Sequence, residues 1–160
     1  MEQRRVVITG IGTINSIGNN IEEYFRNLEQ GVSGADIITA FDATKFSSRI
    51  ACEVKNFDPT AIFERKELRK YDRYTQFALV AATEAVEDAA LDLEKTNLER
   101  VGVIWASGVG GIQTYYDEVM GWAGGNGSPR FSPFFVPKMI ADICVGHISI
   151  KYGFHGPNYI

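Results

Sequence analysis

A cysteine and a histidine three residues apart, Cys144 and His147, are side chains of the types that nucleophilic catalysis uses. Residues at i and i+3 share a face of a helix, and a histidine beside a thiol can act as its base. Both, however, lie inside a long apolar segment, where burial raises the pKa of a thiol and leaves it unreactive. We therefore predict that they are core residues and not a catalytic pair.

Two glycine-rich stretches could form phosphate-binding loops. The first begins at Gly10, and the second, residues 107–111, follows the β-branched run 101–106. Neither completes the dinucleotide-binding pattern GxGxxG, because Asn15 and Gln113 occupy the place of the third glycine. The second also lacks the lysine of a P-loop. Both are predicted to be structural turns, although the end of a parallel strand is also where ligands bind in α/β sheets.

Basic side chains concentrate between residues 65 and 73. Lys66, Arg69, Lys70 and Arg73 follow an i, i+3, i+4, i+7 spacing and would share one face of a helix. A solvated surface face is one interpretation of this pattern. The other is a docking patch, because one basic patch on a chain of net charge −4 would steer an acidic partner to one place.

Strand and helix patterns that alternate along the chain predict the elements that position these residues. Strands are predicted at residues 5–9, 49–54 and 101–106, and helices at Ile21–Glu29 and at 73–90 with Asp72 as N-cap. This alternation indicates an α/β fold. The alanine-rich stripe of the long helix favours close packing against its neighbours. Cys52, within the second strand, is predicted to be a small, inert packing residue.

The last part of the chain predicts one buried helix followed by a strand. Pro137 suits the first turn of a helix and Gly153 its end, and the residues between them are apolar on most faces. Such a helix is buried on several sides, which places it inside a large layered protein. A strand is predicted to start at Asn158. Because the sequence reaches its last residue within that strand, we expect the chain to be truncated or continued elsewhere.

The composition is ordinary for a soluble globular protein of 160 residues, with 45% hydrophobic and 22% charged residues. The net charge of −4 argues against binding to nucleic acid or to an anionic membrane. No apolar run reaches the roughly 18 residues of a membrane span. The two cysteines lack CxxC spacing and suit a reducing compartment, so a cytoplasmic location is expected.

Six segments resemble the elongating β-ketoacyl-acyl-carrier-protein synthases of the thiolase superfamily, most closely the synthase II type. In chain order they are RRVVITGIGTINSIGN, FERKELRKYDRYTQFALVAATEAVEDA, SGVGGI, SPFFVP, GHISIKYG and GPN. The resemblance covers all 160 residues, less than half of such an enzyme. It implies an α/β fold, the thiolase-like layered α/β/α/β/α sandwich. Residues 1–160 would be an incomplete N-terminal half-domain that ends just before the turn carrying the family's nucleophile.

The resemblance also implies the chemistry of the whole enzyme, a decarboxylative Claisen condensation of an acyl thioester with malonyl-acyl-carrier protein. The substrates would be carried on phosphopantetheine, with no metal and no other cofactor. In the family pattern the nucleophilic cysteine, two histidines and the oxyanion hole lie beyond Ile160. No catalytic residue is therefore expected in this chain, which alone should neither catalyse condensation nor fold. A second chain that completes the fold is a further expectation left open.

Residues that would dock the acyl carrier protein are also implied by the resemblance. Lys66, Arg69 and Lys70 match basic positions that meet the acidic helix of that protein in the family. Arg130 would add to this patch, although a lone arginine in a loop is commonly just solvated.

Other residues match the acyl tunnel and the homodimer interface of the family. Val109 matches a tunnel position that usually holds a bulkier aliphatic side chain. Phe134 or Phe135 would reach the acyl pocket of the partner subunit, with Phe135 favoured but not separated from Phe134.

Two other functions stay open at this point. A non-catalytic subunit resembling a chain-length factor would share the same fold, and the residue at the nucleophile position beyond Ile160 would distinguish it from the enzyme. An unrelated nucleotide-binding α/β protein is disfavoured by the two incomplete glycine patterns.

Overall fold

The computed structural model describes residues 5–128 and 130–160, which form two units. The first is built from Met1–Phe57 and Val80–Leu91, and the second from Asp58–Leu79 and Asp92–Ile160. The six α-helices of the described residues are α1 Ile21–Glu29, α2 Arg65–Leu68, α3 Arg73–Asp88, α4 Ile112–Ala123, α5 Phe135–Met139 and α6 Ile143–Tyr152. Two short 3₁₀-helices span Pro59–Ala61 and Leu98–Arg100. The four strands are β1 Asp36–Ile37, β2 Ile50–Ala51, β3 Val103–Ile104 and β4 Asn158–Tyr159.

The strands pair in two short ladders, one in each unit. In the first unit β1 and β2 are antiparallel, with Ile37 opposite Ile50. In the second unit β3 and β4 are parallel, with Val103 opposite Asn158. The predicted strands at 49–54, at 101–106 and from Asn158 are therefore confirmed as shorter ladders. The parallel pair also supports the predicted α/β class.

The strand predicted at residues 5–9 is absent, and the side chain of Val6 is 93% exposed. The segment that follows it instead packs against α3. The Ile11 amide donates to the Asp88 carboxylate at 2.8 Å, and the Thr13 amide donates to the Glu84 carboxylate at 2.8 Å. The amides of this segment are thus satisfied by side chains of a helix and not by a neighbouring strand.

Glycines at positions 10 and 12 allow this segment to approach the alanine stripe of α3. A Cβ added to Gly12 would lie within 3.0 Å of the Ala81 carbonyl oxygen and of the Ala85 amide nitrogen, distances that real Cβ atoms essentially never show. Gly10 approaches the backbone of Ala85 in the same way. The predicted close packing of the alanine stripe is confirmed, and its partner is a backbone segment.

Glu84 joins two parts of the first unit with one carboxylate. One of its oxygens accepts from the Thr13 amide, and the other accepts from the Ile21 amide at 2.7 Å. Ile21 is the first residue of α1, whose N-cap Asn20 accepts from the Glu23 amide at 2.8 Å. The predicted helix Ile21–Glu29 is confirmed, and its entry is held by a carboxylate of α3.

In the second unit Asp72 caps α3, as the sequence predicts. Its Oδ1 accepts from the Tyr74 amide at 3.2 Å, and its Oδ2 accepts from the Thr114 hydroxyl of α4. Asp72 is buried. Because a buried carboxylate is stable only when its oxygens are hydrogen-bonded, these two donors explain why the cap also fixes α4.

The single helix predicted from Pro137 to Tyr152 is wrong, because the chain forms α5 and α6 with a break between them. Ile140 has an extended conformation, with φ −69° and ψ 134°. In a continuous helix the carbonyls of Met139 and Ile140 would accept from the amides four residues later. Here Met139 accepts from the Gly111 amide at 3.0 Å, and Ile140 accepts from the Tyr74 hydroxyl. Tertiary donors thus replace two helical hydrogen bonds.

Helix α6 ends at Gly153 as predicted. Gly153 has φ 69° and ψ 28°, the left-handed conformation that glycine adopts at the end of a helix. Its amide donates to the Ser149 carbonyl. Buried residues of α6 include Cys144, Val145 and Ile148.

We predict that Gly12→Ala destabilises the folded state by about 1–3 kcal/mol or more, because the added methyl group has no space against the backbone of α3. Gly121→Ala is the control, since nothing lies within 4 Å of the position that its added methyl group would take inside α4. This control should be neutral or stabilising by about 0.5–1 kcal/mol. Denaturant unfolding of the full-length protein measures both, and equal stability of the two variants would contradict the packing described.

Candidate functional site

The basic cluster is divided between two helices and does not form the single helical face predicted from its spacing. Helix α2 ends at Leu68, and the amides of Lys70 and Tyr71 both donate to the Glu67 carbonyl as the chain turns. Arg73 is the first residue of α3. The predicted helical repeat fails because the cap at Asp72 starts a new helix within the cluster.

Lys66, Arg69 and Lys70 nevertheless stay together at the end of α2, and all three are exposed. Within residues 5–128 and 130–160 none of them has an ion pair with a carboxylate. Exposed, unpaired cations on one short segment create a local positive potential on an acidic chain. We call these three residues the basic patch.

Tyr71 connects the segment of the basic patch to α6. Its ring is in edge contact with His147, at 4.7 Å between centroids, and with Phe63, at 5.7 Å. Burial raises the pKa of Tyr71, and the neighbouring Glu67 raises it further. Burial lowers the pKa of His147, and the nearby Lys70 adds to this effect. His147 is therefore held in its neutral form as an aromatic packing partner.

Cys144 is fully buried, with 0% of its surface exposed, which agrees with the prediction that it is a core residue. Its thiol donates to the Ala141 carbonyl at 3.4 Å and not to His147. Burial raises the pKa of the Cys144 thiol, so the reactive thiolate is disfavoured. Cys52 differs from its prediction, because it is exposed beside β2 and does not pack in a core.

The glycine-rich loop at residues 107–111 is a structural turn packed against α5, as predicted. The Gly110 amide donates to the Ser107 hydroxyl at 2.9 Å, and the Gly111 amide donates to the Met139 carbonyl. Gly110 has φ 75°. A Cβ at Gly111 would lie within 3.0 Å of the Lys138 carbonyl oxygen. Two amides that a phosphate would need are thus already bonded within the protein.

Val109 lies in this loop, and its side chain is 64% exposed. It therefore has surface available for a ligand or for another part of a larger protein. Because the neighbouring Gly111 is hydrogen-bonded to Met139, the position of Val109 is tied to the C-terminal end of α5. The loop that carries Val109 is thus hydrogen-bonded to α5, the helix that carries Phe135.

Phe134 and Phe135 have different surroundings although both are half-buried. The ring of Phe135 stacks with Phe131 at 5.5 Å and with Tyr115 of α4 at 6.2 Å. Phe134 is the N-cap residue of α5, and its amide donates to the Ser132 hydroxyl at 3.2 Å. Phe135 therefore fixes α5 against α4, whereas Phe134 forms no ring contact within the described residues.

Arg130 is exposed and lines an open groove of about 440 Å³ together with Asp117, Glu118 and Trp122. The two acidic neighbours reduce the positive potential around its guanidinium group. Arg130 thus lies in a mixed-charge environment, unlike the three residues of the basic patch.

The comparison with known sequences identifies the family. Residues 3–160 match the family described as "Beta-ketoacyl synthase, N-terminal domain". The chain belongs to the β-ketoacyl synthase family. It is 43% identical over 161 residues to the 3-oxoacyl-[acyl-carrier-protein] synthase 2 of Coxiella burnetii, covering 99% of this chain and 38% of that protein. It thus spans about two fifths of the length of the curated relatives that it matches.

Solved structures agree with this assignment. The ishigamide ketosynthase/chain length factor superposes with a TM-score of 0.85 at 31% identity, covering 99% of this chain and 40% of that one. The AntDE:AntF complex, a type II polyketide-synthase acyl-carrier protein with its ketosynthase bound to the hexaketide, superposes with a TM-score of 0.76 at 25% identity. It covers 96% of this chain and 41% of that one. The predicted α/β, thiolase-like fold class is confirmed for this part of a β-ketoacyl synthase.

The described residues of this β-ketoacyl synthase chain hold no group of three or more histidine, cysteine or acidic side chains suited to a metal ion. Among the same residues no helix is long and apolar enough to cross a membrane.

Sequence reasoning did not identify the joint around the α5–α6 break. The spacing of apolar residues in α3 predicts that the ring of Tyr74 packs in the interior. It does not predict that the Tyr74 hydroxyl donates to the Ile140 carbonyl. Thr114 had no predicted role, although it donates to the buried Asp72. The one available signal was the predicted cap at Asp72, because a buried cap leaves a second carboxylate oxygen to be satisfied.

We predict that iodoacetamide at pH 8 labels Cys52 at least about ten-fold faster than Cys144, because alkylation needs an accessible thiolate. Mass spectrometry of timed samples measures the two rates. The same reaction in guanidinium chloride is the control, since both cysteines should then react. Equal rates in the folded protein would contradict the buried, protonated state of Cys144.

Proposed function

We propose that this chain is the N-terminal portion of a fatty-acid-elongating condensing enzyme. The whole protein would join an acyl thioester to malonyl-acyl-carrier protein by decarboxylative Claisen condensation. The observation that carries this proposal is the 43% identity, over 99% of the chain, to a 3-oxoacyl-[acyl-carrier-protein] synthase. We expect a cytoplasmic enzyme that requires no metal or other cofactor, with its substrates held on phosphopantetheine.

The catalytic cysteine and histidines are proposed to lie in the part of the enzyme that follows residue 160. This is consistent with the state of Cys144 and His147, which are committed to packing. The chain would then supply a docking surface, a wall of the acyl pocket and contacts of a homodimer. Alone it would be inactive.

Independent folding of residues 1–160 is also not expected, and the exposed apolar side chains of the second unit support this view. Ile104 of β3 is 78% exposed and Ile150 of α6 is 80% exposed. Apolar surface of this kind is usually covered in a complete protein. We propose that a further segment of the enzyme, or a second chain, covers it.

Docking of the acyl carrier protein is proposed for the basic patch of Lys66, Arg69 and Lys70. The support is that these cations are exposed and unpaired among the described residues, which leaves them available to an acidic partner. The AntDE:AntF ketosynthase, a structural neighbour, binds an acyl-carrier protein. Arg130 is proposed as a weaker contributor, because Asp117 and Glu118 share its groove.

An acyl-pocket role is proposed for Val109 and for Phe134 or Phe135. Val109 has an exposed side chain on a loop fixed to the end of α5. Phe135 is already stacked between Phe131 and Tyr115, so any substrate contact would add to a structural role. We propose that the pocket acts across the homodimer interface, with the phenylalanine reaching the partner subunit.

A non-catalytic subunit resembling a chain-length factor is the second candidate, favoured by one observation. The structural neighbour with a TM-score of 0.85 is described as a ketosynthase/chain length factor. Determining the residue at the nucleophile position of the full-length protein would decide between the two. A cysteine there means an enzyme, and another residue means a non-catalytic partner.

We predict that the double variant Lys66→Glu/Arg69→Glu raises the KM for acyl-carrier-protein substrate about ten-fold, which corresponds to about 1.4 kcal/mol. Repulsion between the reversed charges and the acidic partner is the cause. Activity of the full-length enzyme on short thioester analogues should not change.

The matched control for this charge reversal is Arg26→Glu/Lys45→Glu, which changes the net charge equally at two exposed residues of the first unit. It should leave the KM for the carrier-protein substrate near that of the parent enzyme. Equal loss on carrier-protein and analogue substrates, or an equal effect of the control, would contradict docking at the basic patch.

We predict that Val109→Trp lowers kcat/KM for long acyl chains at least about ten-fold more than for short chains, because the indole ring fills the distal part of the pocket. Steady-state assays with a series of acyl chain lengths measure this ratio. Val109→Ile serves as the conservative control, adding one methylene. Uniform loss at every chain length would contradict the pocket assignment.

A further inference from the structure

The two candidate walls of the acyl pocket meet at the break between α5 and α6. One wall is the loop that carries Val109, and the other is the segment that carries Phe134 and Phe135. The Gly111 amide donates to the Met139 carbonyl at 3.0 Å, which joins the loop to the end of α5. Gly110 and Gly111 have no space for a side chain against this end of α5. A shift of α5 must therefore shift the loop as well.

The Tyr74 hydroxyl provides the second bond at this joint, because it donates to the Ile140 carbonyl. Without the hydroxyl, the Ile140 carbonyl would lose its donor from α3. The Tyr74 hydroxyl thus holds the carbonyl of the extended residue Ile140, just before the first turn of α6.

Asp72 places Tyr74 relative to α4. One carboxylate oxygen accepts from the Tyr74 amide, and the other accepts from the Thr114 hydroxyl, two residues after the start of α4. The loop that carries Val109 leads directly into α4. The start of α3 is therefore bonded to both walls, to one through Thr114 and to the other through Ile140.

We infer that Tyr74 is a positioning residue that sets the place of the joined Val109 loop and α5 segment relative to α3, and thereby the acyl chain lengths that the enzyme accepts. This inference rests on the proposed function. It assigns Tyr74 no contact with the substrate. Its effect is transmitted through the Ile140 carbonyl and the Gly111–Met139 bond.

The test uses the full-length β-ketoacyl synthase that contains this chain. Tyr74→Phe removes only the hydroxyl. We expect the ratio of kcat/KM for long and short acyl chains to change about five-fold, as expected for the loss of one hydrogen bond. The KM for the acyl carrier protein should be unchanged. Hydrogen exchange of residues 107–112 should become faster as the joint loosens.

Tyr116→Phe is the matched control, because it removes the hydroxyl of an exposed tyrosine on α4. It should leave both the ratio and the exchange rates unchanged. A double-mutant cycle of Tyr74→Phe with Val109→Ala should be non-additive in the ratio if Tyr74 acts through this loop. Thr114→Val is a second variant at the same joint and should change the ratio in the same direction.

Two results would overturn the inference: a ratio that Tyr74→Phe leaves unchanged, as an equal loss of activity at every chain length would, or an additive double-mutant cycle. Failure of the proposed function is recognised separately, because the unmodified enzyme would then condense no acyl chain of any length.

Discussion

Two backbone carbonyls at the end of α5 determine the architecture of the second unit. The carbonyls of Met139 and Ile140 accept from the Gly111 amide and the Tyr74 hydroxyl in place of amides of their own helix. One hydrogen bond contributes about 0.5–1.5 kcal/mol to stability, so each of the two outside donors stabilises the break. The loop at residues 107–111, the start of α3 and the end of α5 therefore depend on one another.

In the first unit, carboxylate side chains are the partners of backbone groups that no helix or strand satisfies. The segment around Gly12 has amides that no strand satisfies, and Glu84 and Asp88 of α3 accept from them. The alanine stripe and the two glycines let the backbones come close enough for these bonds to form. Glu84 also holds the start of α1 through the Ile21 amide. One face of α3 thus holds both the segment around Gly12 and the start of α1.

The candidate site combines packed interior side chains with exposed basic side chains. Tyr71 and His147 are held by ring contacts, and Cys144 is buried and protonated, so these groups form a fixed base behind the basic patch. Lys66, Arg69 and Lys70 carry exposed charges next to these packed groups. Such an arrangement suits attraction of an acidic protein, because long-range steering needs charge on the surface and no preformed ion pairs.

The sequence by itself determined the family, the α/β class and the elements that local signals define, such as α1, the cap at Asp72 and the end of α6 at Gly153. It also determined that Cys144 is a core residue, because an apolar surrounding is visible in the residues beside it. The groups of residues proposed for docking and for the acyl pocket came from motifs, and the structure describes their surroundings.

Only the tertiary structure decided where apparently regular elements stop. The apolar run after Pro137 has no local signal that separates one helix from two, because the donors that break it, Tyr74 and Gly111, are distant in sequence. The absence of a strand at residues 5–9 has the same origin, because Asp88 and Glu84 of α3 accept from amides of the segment that follows it. Each depends on which backbone groups are satisfied by distant partners, and helical or strand periodicity carries no information about such partners.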